Sequence, residues 1–554
     1  MHAVILLLLL AKSIAAYKIL VYNPKFGGSH VAFTGKIADI LASAGHEVVV
    51  YQPILNENVT FSGTKNKNVR YYVKEKDYTF APDFSLESTQ DMLWKEESFS
   101  KMREMMAMMH RIKTGFCQLV MDDSANLEKL RKENFDLAIV EIFEACGLGV
   151  VKYLGIKRYI STFGGTVPPF LADLLGIKLT PSYIPGMMTF ATDQMSFIGR
   201  LKNFVGYIPE HYFAKTMFIA GTQEVIEAKV PGFIMLDTMA DSAFVFVNTD
   251  EHIEYAQPIT HKIIYIGGLG KVQTAPLAKK YLDIFDSAKK GVILFSFGSV
   301  VQSAKMSDDM KRLFLEAFAE FPDINFLWKY ENDEHQVAKA YKNVFTGKWL
   351  PQNDILEHPR LLAFVSHGGM NSVIEGGSKG VPMICIPVFA DQKRNAKLLE
   401  RRGTALILDK GKMNKDDVVA AIKKIIADPS YRENAKLVAR MIKAKPMNAD
   451  ERIIKYSEFA AEFGDTGTLQ TQGRYMTFVE LYSLDVLFTL TSALILCLII
   501  NVWLIRKAVR YVKRKRSSIA KKREDVGGKV QTHGESHEDS STSRRRKIVA
   551  GKEN

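Results

Sequence analysis

"FVSHGGMNSVIEGGSKGVPMICIPVFADQ", residues 364–392, decides how the chain is read. An apolar run ends in His367-Gly-Gly, a segment with helical spacing follows, and a second apolar run ends in Asp391-Gln392. Buried run, glycine turn, helix and buried run form a strand–helix–strand unit, and such units build parallel α/β sheets. Ligands of open α/β sheets bind outside the carboxyl ends of the strands. The stretch concentrates its polar residues there: His367, Asn371, Ser372, Glu375, Asp391 and Gln392. Free N–H groups at a helix start near Met370 favour phosphate, and the glycines let an anion approach the backbone. Asn371 and Glu375 are four residues apart and share one helix face. Phosphate would repel Glu375, which reads instead as an acceptor for sugar hydroxyls further along a ligand. Upstream, "WLPQNDIL" (349–356) offers the Trp349 ring for stacking on a nucleobase and Gln352 for its edge. The ensemble reads as a site for a nucleoside-diphosphate sugar.

The same alternation extends outward. "YKILVYN", "HEVVVYQP", "FDLAIVE", "KRYIST" and "AFVFVNT" read as buried strands of a first half. "KGVILFSFGSV", "INFLWKY", "LLAFVSH" and "VPMICIP" read as strands of a second, separated by helix-like segments such as "MKRLFLEAFAEF". The halves meet near "YIGGLGKVQTAP", where Gly and Pro mark a linker. Two regions between the strands stay open. "KMREMMAMMHRIKTGF" holds methionines at 102, 105, 106, 108 and 109 and reads equally as core helix or adaptable pocket lining. "GGTVPPF…PSYIPGMMTF" reads as pocket lining or membrane contact.

The ends bound the compartment. "MHAVILLLLLAKSIAAYKIL" reads as a signal peptide removed near Ala15 or Ala16. Val486 to Ile505 carries no charge and matches the ~20 residues that cross a bilayer. Arg506, Lys507, Arg510 and Lys513 to Arg516 follow at once and orient that flank to the cytosol. A single-pass type I chain with a lumenal globular part is expected, with membrane as a partner. From Arg506 onward there are 16 Lys+Arg against 6 Asp+Glu, a net +10 of the chain's total +13. The basic charge therefore belongs to the tail, which is polar and reads as disordered, and it gives no warrant for nucleic-acid binding. Cys497 lies in the span and Cys385 in an apolar strand, leaving Cys117 and Cys146 as the one pair that could bridge. Asn58 in "NVT" is a glycosylation acceptor. Neither a P-loop nor a G-x-G-x-x-G after the first strand is present, and no D-x-D offers metal ligands for a diphosphate.

Trp349-x-Pro351-Gln352 followed by "SHGGMNSVIEGGSKGVPMICIPVFADQKRN" resembles the donor signature of the UDP-glycosyltransferases, in particular the membrane-bound animal UDP-glucuronosyltransferases. "PSYIPGMMTFATDQMSFIGRLKN", "SFGS" and "SLDV" before the span extend the resemblance over nearly the whole chain. It implies a GT-B fold, two Rossmann-like domains facing a cleft, with acceptor on the first and UDP-sugar on the second. The expected organisation is a signal peptide at 1–16, an acceptor domain at 17–285 and a donor domain at 286–450. Helices leading to the membrane at 451–485, the span at 486–505 and the tail at 506–554 follow. By the resemblance Trp349 stacks on uracil, Gln352 bonds it, and His367 with the Asn371 and Ser372 backbone and nearby Ser299 holds the diphosphate. Glu375 takes the ribose, and Asp391 and Gln392 the transferred sugar. His30 in "GGSHVAF" is implied as the base, suited near neutral pH to take a proton from an acceptor hydroxyl. The family pattern places an Asp behind it; "FDLAIVE" has Glu141 there, with Glu144 as the fallback.

The expected reaction is inverting transfer of glucuronic acid from UDP-glucuronate to small lipophilic acceptors, forming β-glucuronides, with the UDP-sugar as co-substrate and no cofactor or metal. UDP-glucose is the alternative donor, because some relatives place an Arg near "VNT" where this chain has Asn248, leaving Lys393 and Arg394 as candidate cations for a sugar carboxylate. A catalytically silent, membrane-bound partner of related enzymes is the alternative of another class. Homo- or hetero-oligomers and residence in the endoplasmic reticulum belong to the same family-level expectation.

Overall fold

A computed structural model describes residues 16–76, 93–94, 99–219, 221–269 and 276–528. The expected signal peptide therefore lies outside the described residues. So does the end of the tail. The described chain divides into two compact units, Met1–Tyr475 and Met476–Asn554.

The first unit holds two parallel sheets. One is built from β1 (Lys18–Tyr22), β2 (Glu47–Pro53), β3 (Arg70–Lys74), β4 (Leu137–Glu141), β5 (Tyr159–Phe163), β6 (Val245–Val247) and β7 (Ile263–Tyr265), in the order 3-2-1-4-5-6-7. The other is built from β8 (Gly291–Ser296), β9 (Ile324–Lys329), β10 (Val344–Gly347), β11 (Leu361–Ser366), β12 (Met383–Cys385) and β13 (Ala405–Ile407), in the order 10-9-8-11-12-13. The inner strands are continuous runs of Val, Ile, Leu and Phe because helices cover both faces of an all-parallel sheet. Ile19, Leu20, Val21, Ile293, Leu294 and Phe295 are wholly buried. In each sheet the strand order reverses once, between β1 and β4 and between β8 and β11, which is where a doubly wound sheet opens a crevice.

The chain does not stay on one side of the cleft. Helix Lys279–Ser287, which the sequence reading kept with the first half, packs Tyr281 and Phe285 into the core of the second sheet. Helix Ala449–Phe463 returns to the first sheet, burying Ala449, Ile453, Ala460 and Ala461 against β1, β2 and β4 residues. Its start is a capping box between Asn448 and Glu451, each side chain accepting from the other's backbone N–H.

In the second unit a short helix, Phe478–Leu481, precedes one long helix, Leu484–Gly528. The long helix is long and apolar enough to cross a membrane, with a mean hydropathy of 2.3 over its most apolar window. It continues through the basic segment to Gly528, which corrects the expectation of a disordered tail over at least that part. Lys, Arg, Ala and Glu dominate residues 506–524, and all are good helix formers, so propensity carries the helix on past the apolar run.

Candidate active site

Both switch points deliver side chains to one cleft. Helix Gly28–Ser43 follows β1 and carries His30 in its first turn, while Glu141 is the last residue of the adjoining β4. Nδ1 of His30 stands 3.3 Å from Oε2 of the buried Glu141, within ion-pair range but outside hydrogen-bond alignment. Oε1 of Glu141 accepts from the Gly164 N–H at 3.3 Å. A Cβ on Gly164 would sit 3.1 Å from His30 Nδ1, tighter than ordinary contact, so a side chain there would press on the imidazole. Phe26 and Phe143 flank the imidazole at 4.5 and 4.9 Å between ring centroids and stack on each other at 5.2 Å. The histidine thus has a carboxylate behind it and apolar walls beside it.

Glu144, the fallback carboxylate, is engaged elsewhere. It accepts from the Tyr22 hydroxyl at 2.5 Å, and burial pushes its carboxyl up to about 7. Lys113, drawn down to about 8 by burial, donates to the Phe143 carbonyl oxygen at 2.5 Å. Cys117 and Cys146 form a disulfide next to this network, joining helix Phe99–Met121 to the start of helix Cys146–Tyr153. The half-buried Met108 and Met109 pack on the first core from that same helix.

The donor-type residues gather at the second switch point. His367 leaves β11 and sits against Gly298, which leaves β8 with a left-handed φ of 80°. A Cβ on Gly298 would lie 2.8 Å from the imidazole, so close approach and backbone sign both require glycine. Burial, then the charge of Lys329, holds His367 down at about 4, so it is neutral at physiological pH. Helix Met370–Lys379 begins at Gly369 with no side-chain cap, leaving its first N–H groups open for an anion. Ser299 is exposed beside Gly28 of the first sheet's helix, and a Cβ on that glycine would lie 3.4 Å from the serine. Further out, Trp349 is 65% exposed with Phe61 of the first domain 6.2 Å away between rings. Glu375 accepts from Gln352 at 2.6 Å and Asn353 at 3.1 Å, with Lys36 of the first domain 3.9 Å away.

At the exit of β12, Ala390 holds a φ of 53°, uncommon for a residue with a side chain. Oε1 of Gln392 bridges the Val388 and Phe389 N–H groups at 2.8 and 3.0 Å and pins this turn. That leaves Gln392 only its amide N–H groups for a ligand, a narrower part than the sequence suggested. Asp391 is held by Asn395 at 2.8 Å, and burial raises its carboxyl. Gly165 backs it, with the site for a Cβ 3.9 Å from Oδ2.

One sequence expectation about charge is corrected here. Arg394 does not face a ligand: it is buried in a paired contact with Glu254 at 2.6 and 3.3 Å. Asn248 is buried as well, donating to the Gly164 carbonyl at 3.2 Å and to Asn371 at 2.6 Å. Asn371 in turn donates to the Ser29 carbonyl at 3.2 Å, so its side chain bridges the domains and only its backbone is open to a phosphate. Glu254, which sequence reasoning missed, also accepts from Thr249 at 3.3 Å and from Thr166. The signal was present as acids at the carboxyl end of a strand, in "VNTDEHIE" after β6. Arg402 binds the Ile253 and Glu254 carbonyls, Lys445 binds Asp250 and Glu251, and Arg452 binds Glu251. Residues 250–254 thus form an acidic strap that cations of the second domain and the return helix grip. Asn58 lies exposed in a turn after β2. Among the described residues no three His, Cys, Asp or Glu side chains converge to hold a metal ion.

Comparison with known proteins agrees with this layout. The chain is 31% identical over 503 residues, 88% of its length and 94% of the relative's, to a Caenorhabditis elegans protein described as "Putative UDP-glucuronosyltransferase ugt-48". It is 29% identical to the Mus musculus UDP-glucuronosyltransferase 1A7 over 87% of its own length and 90% of that protein's. The solved Phytolacca americana UGT2, complexed with UDP-2-fluoro-glucose and pterostilbene, superposes with a TM-score of 0.54 at 16% identity. That match covers 81% of this chain and all of the other, which shows the GT-B fold. Residues 17–523 match the model of the family described as "UDP-glucoronosyl and UDP-glucosyl transferase". With two facing Rossmann-like domains and that match, the chain belongs to the UDP-glycosyltransferase family and is a glycosyltransferase enzyme that uses a UDP-sugar donor.

Proposed function

We propose that the protein transfers glucuronic acid, with inversion, from UDP-glucuronate to a hydroxyl of small lipophilic acceptors, forming β-glucuronides. The observation that carries the transfer is the His30–Glu141 pair at the first switch point, opposite the open helix start at Met370. Glu141 favours the tautomer with the proton on Nδ1 and stabilises the imidazolium, leaving Nε2 to take the acceptor's proton. The acceptor oxygen then forms a bond to the anomeric carbon as the bond to UDP breaks, which turns an α-linked donor into a β-linked product. Phe26 and Phe143 give the acceptor an apolar, water-poor seat beside the base.

On the donor side, Trp349 stacks on uracil and Gln352 bonds its edge. Glu375 takes the ribose hydroxyls, exchanging its bonds to Gln352 and Asn353 for bonds to the ligand. His367, Ser299 and the Asn371 and Ser372 N–H groups hold the diphosphate. Neutral His367 acts there by hydrogen bonding, so the helix N-terminus supplies the positive potential. Asp391 orients the transferred sugar, with the Gln392 amide donating beside it. The names of the relatives support glucuronate as the sugar, with Lys393 at its carboxylate. A second reading, UDP-glucose, is favoured by one observation: Arg394 is committed to Glu254, so the carboxylate has one cation fewer than the sequence offered.

In the cell we place the globular part in the lumen of the endoplasmic reticulum, held by Val486–Ile505 and glycosylated at Asn58. The test is UDP release by membranes carrying the full chain, with a panel of phenols and either donor. Turnover with UDP-glucuronate that is lost in His30→Ala and selectively weakened in Lys393→Ala supports the proposal. Turnover with UDP-glucose alone moves the donor to the second reading.

A further inference from the structure

Trp349 faces a second aromatic ring, and that ring comes from the other domain. Trp349 and Phe61 are 65% and 37% exposed, with their planes tilted by 53° across the cleft. Single exposed rings are ordinary, but two that face each other from separate sheets form a contact surface. Phe61 lies in the loop between β2 and β3, and that loop is firmly built. A Cβ on Gly35, in helix Gly28–Ser43, would collide with the Gly63 carbonyl, and Gly63 itself holds a φ of 96°. Helix and loop thus meet backbone to backbone, which only glycine permits. The Ser62 carbonyl accepts from Gln52 at 2.9 Å and from the Tyr71 hydroxyl at 3.3 Å. Asp39 of the same helix accepts from the Lys65 and Asn66 N–H groups at 2.8 and 2.9 Å. The ring is therefore presented from a fixed base, beside Gly28, where a Cβ would lie 3.5 Å from it.

We propose that Phe61 is a nucleotide-binding residue of the first domain, covering the face of the uracil that Trp349 leaves open, so that the base is stacked between the two domains. The proposal rests on the reading that Trp349 stacks on uracil. A planar ring between two others needs two layers of ~3.5 Å each, about 7 Å in all. The Phe61 and Trp349 centroids are 6.2 Å apart, so a base enters once the exposed rings turn parallel and part slightly. Two observations choose the nucleoside as the occupant. Gln352, three residues on from Trp349, offers an amide for the edge of a base. Lys36, on the helix that holds the Phe61 loop, stands 3.9 Å from Glu375, the acid read as taking the ribose. The first domain thus reaches the nucleoside end of the donor site with an apolar ring and a cation. The stacked base joins the domains there, as Asn371 and the Ser29 carbonyl join them at the helix start.

The test is UDP binding by calorimetry on the full chain in detergent micelles, with the acceptor KM measured beside it. Phe61→Leu keeps the apolar bulk of the loop and Phe61→Tyr keeps the ring, so the pair separates stacking from packing. Phe61→Leu is expected to weaken UDP by about 5- to 50-fold, within the range that one base–aromatic stack supplies. Phe61→Tyr is expected to bind UDP as the unaltered chain does, and the acceptor KM to stay unchanged in both. If Phe61→Leu binds UDP normally, or Phe61→Tyr loses as much as Phe61→Leu, the second stack is refuted. A raised acceptor KM with UDP affinity intact assigns Phe61 to the acceptor seat and overturns the proposal. Trp349→Ala checks the reading beneath it. If that variant weakens UDP while Phe61→Leu does not, the uracil assignment stands and only the second stack falls. If Trp349→Ala leaves UDP affinity unchanged, the uracil assignment has itself failed.

Discussion

The two halves of the cleft are built to opposite plans. On the donor side nearly every polar group is already spoken for: Gln352 and Asn353 bond Glu375, Asn395 bonds Asp391, and Gln392 pins the strained turn at Ala390. On the proposed acceptor side the facing atoms of His30 and Glu141 lack an aligned hydrogen bond, and aromatic rings form the walls. A pre-bonded network holds one ligand geometry and so suits an invariant nucleotide. An apolar wall beside a single polar pair sets few directional demands, in keeping with the proposed range of acceptors that share a hydroxyl and little else.

The comparison can be broken in a graded way. His30→Ala should lower kcat by about 10²–10⁴-fold, the usual share of a general base, while UDP affinity measured by calorimetry stays the same. A parallel loss of UDP affinity would mean that the halves are not separate. Glu254→Ala should come next: removing one partner of a buried ion pair leaves Arg394 uncompensated, at a cost of roughly 3–5 kcal/mol in urea unfolding. Pairing it with Arg394→Met should restore most of that stability. Glu375→Ala should raise the donor KM by about 10–100-fold, matching hydrogen bonds of about 1.5–3 kcal/mol to a charged group, with acceptor KM unchanged.

A pH effect, outside the cleft chemistry, concerns Glu144. Its folded carboxyl titrates at about 7 against 4.5 ordinarily, so between those values the folded chain binds more protons than the unfolded one. Stability should therefore fall as pH rises through that window, and Glu144→Gln should flatten this part of the urea-midpoint profile.

How much of this could be read beforehand follows the same physics. The interior strands were legible because burial on both faces leaves unbroken apolar runs. The four strands that escaped, β3, β7, β10 and β13, are the sheet edges, where runs are short or half-exposed. His367, Asn371, Glu375 and Asp391 were legible because one strand–helix–strand unit carries them, so local spacing suffices. The Glu254–Arg394 pair joins residues 140 positions apart, and nothing in local spacing connects them. Arg394 consequently looked like a cation facing a ligand. The outward apolar face of helix Phe197–Phe218 was not singled out, because an apolar stripe by itself says nothing about which side the fold turns outward.

The Cys117–Cys146 bridge has a consequence for where a working enzyme can be made. It clamps the helix that carries Lys113 to the segment that follows Phe143, and Lys113 in turn grips the Phe143 carbonyl. The Phe143 ring beside His30 is therefore braced by a bond that persists only under oxidising conditions. On the proposed reading, a chain matured in a reducing cytosol is expected to bind UDP normally and turn over acceptors poorly, measured by calorimetry and UDP release on the same preparation.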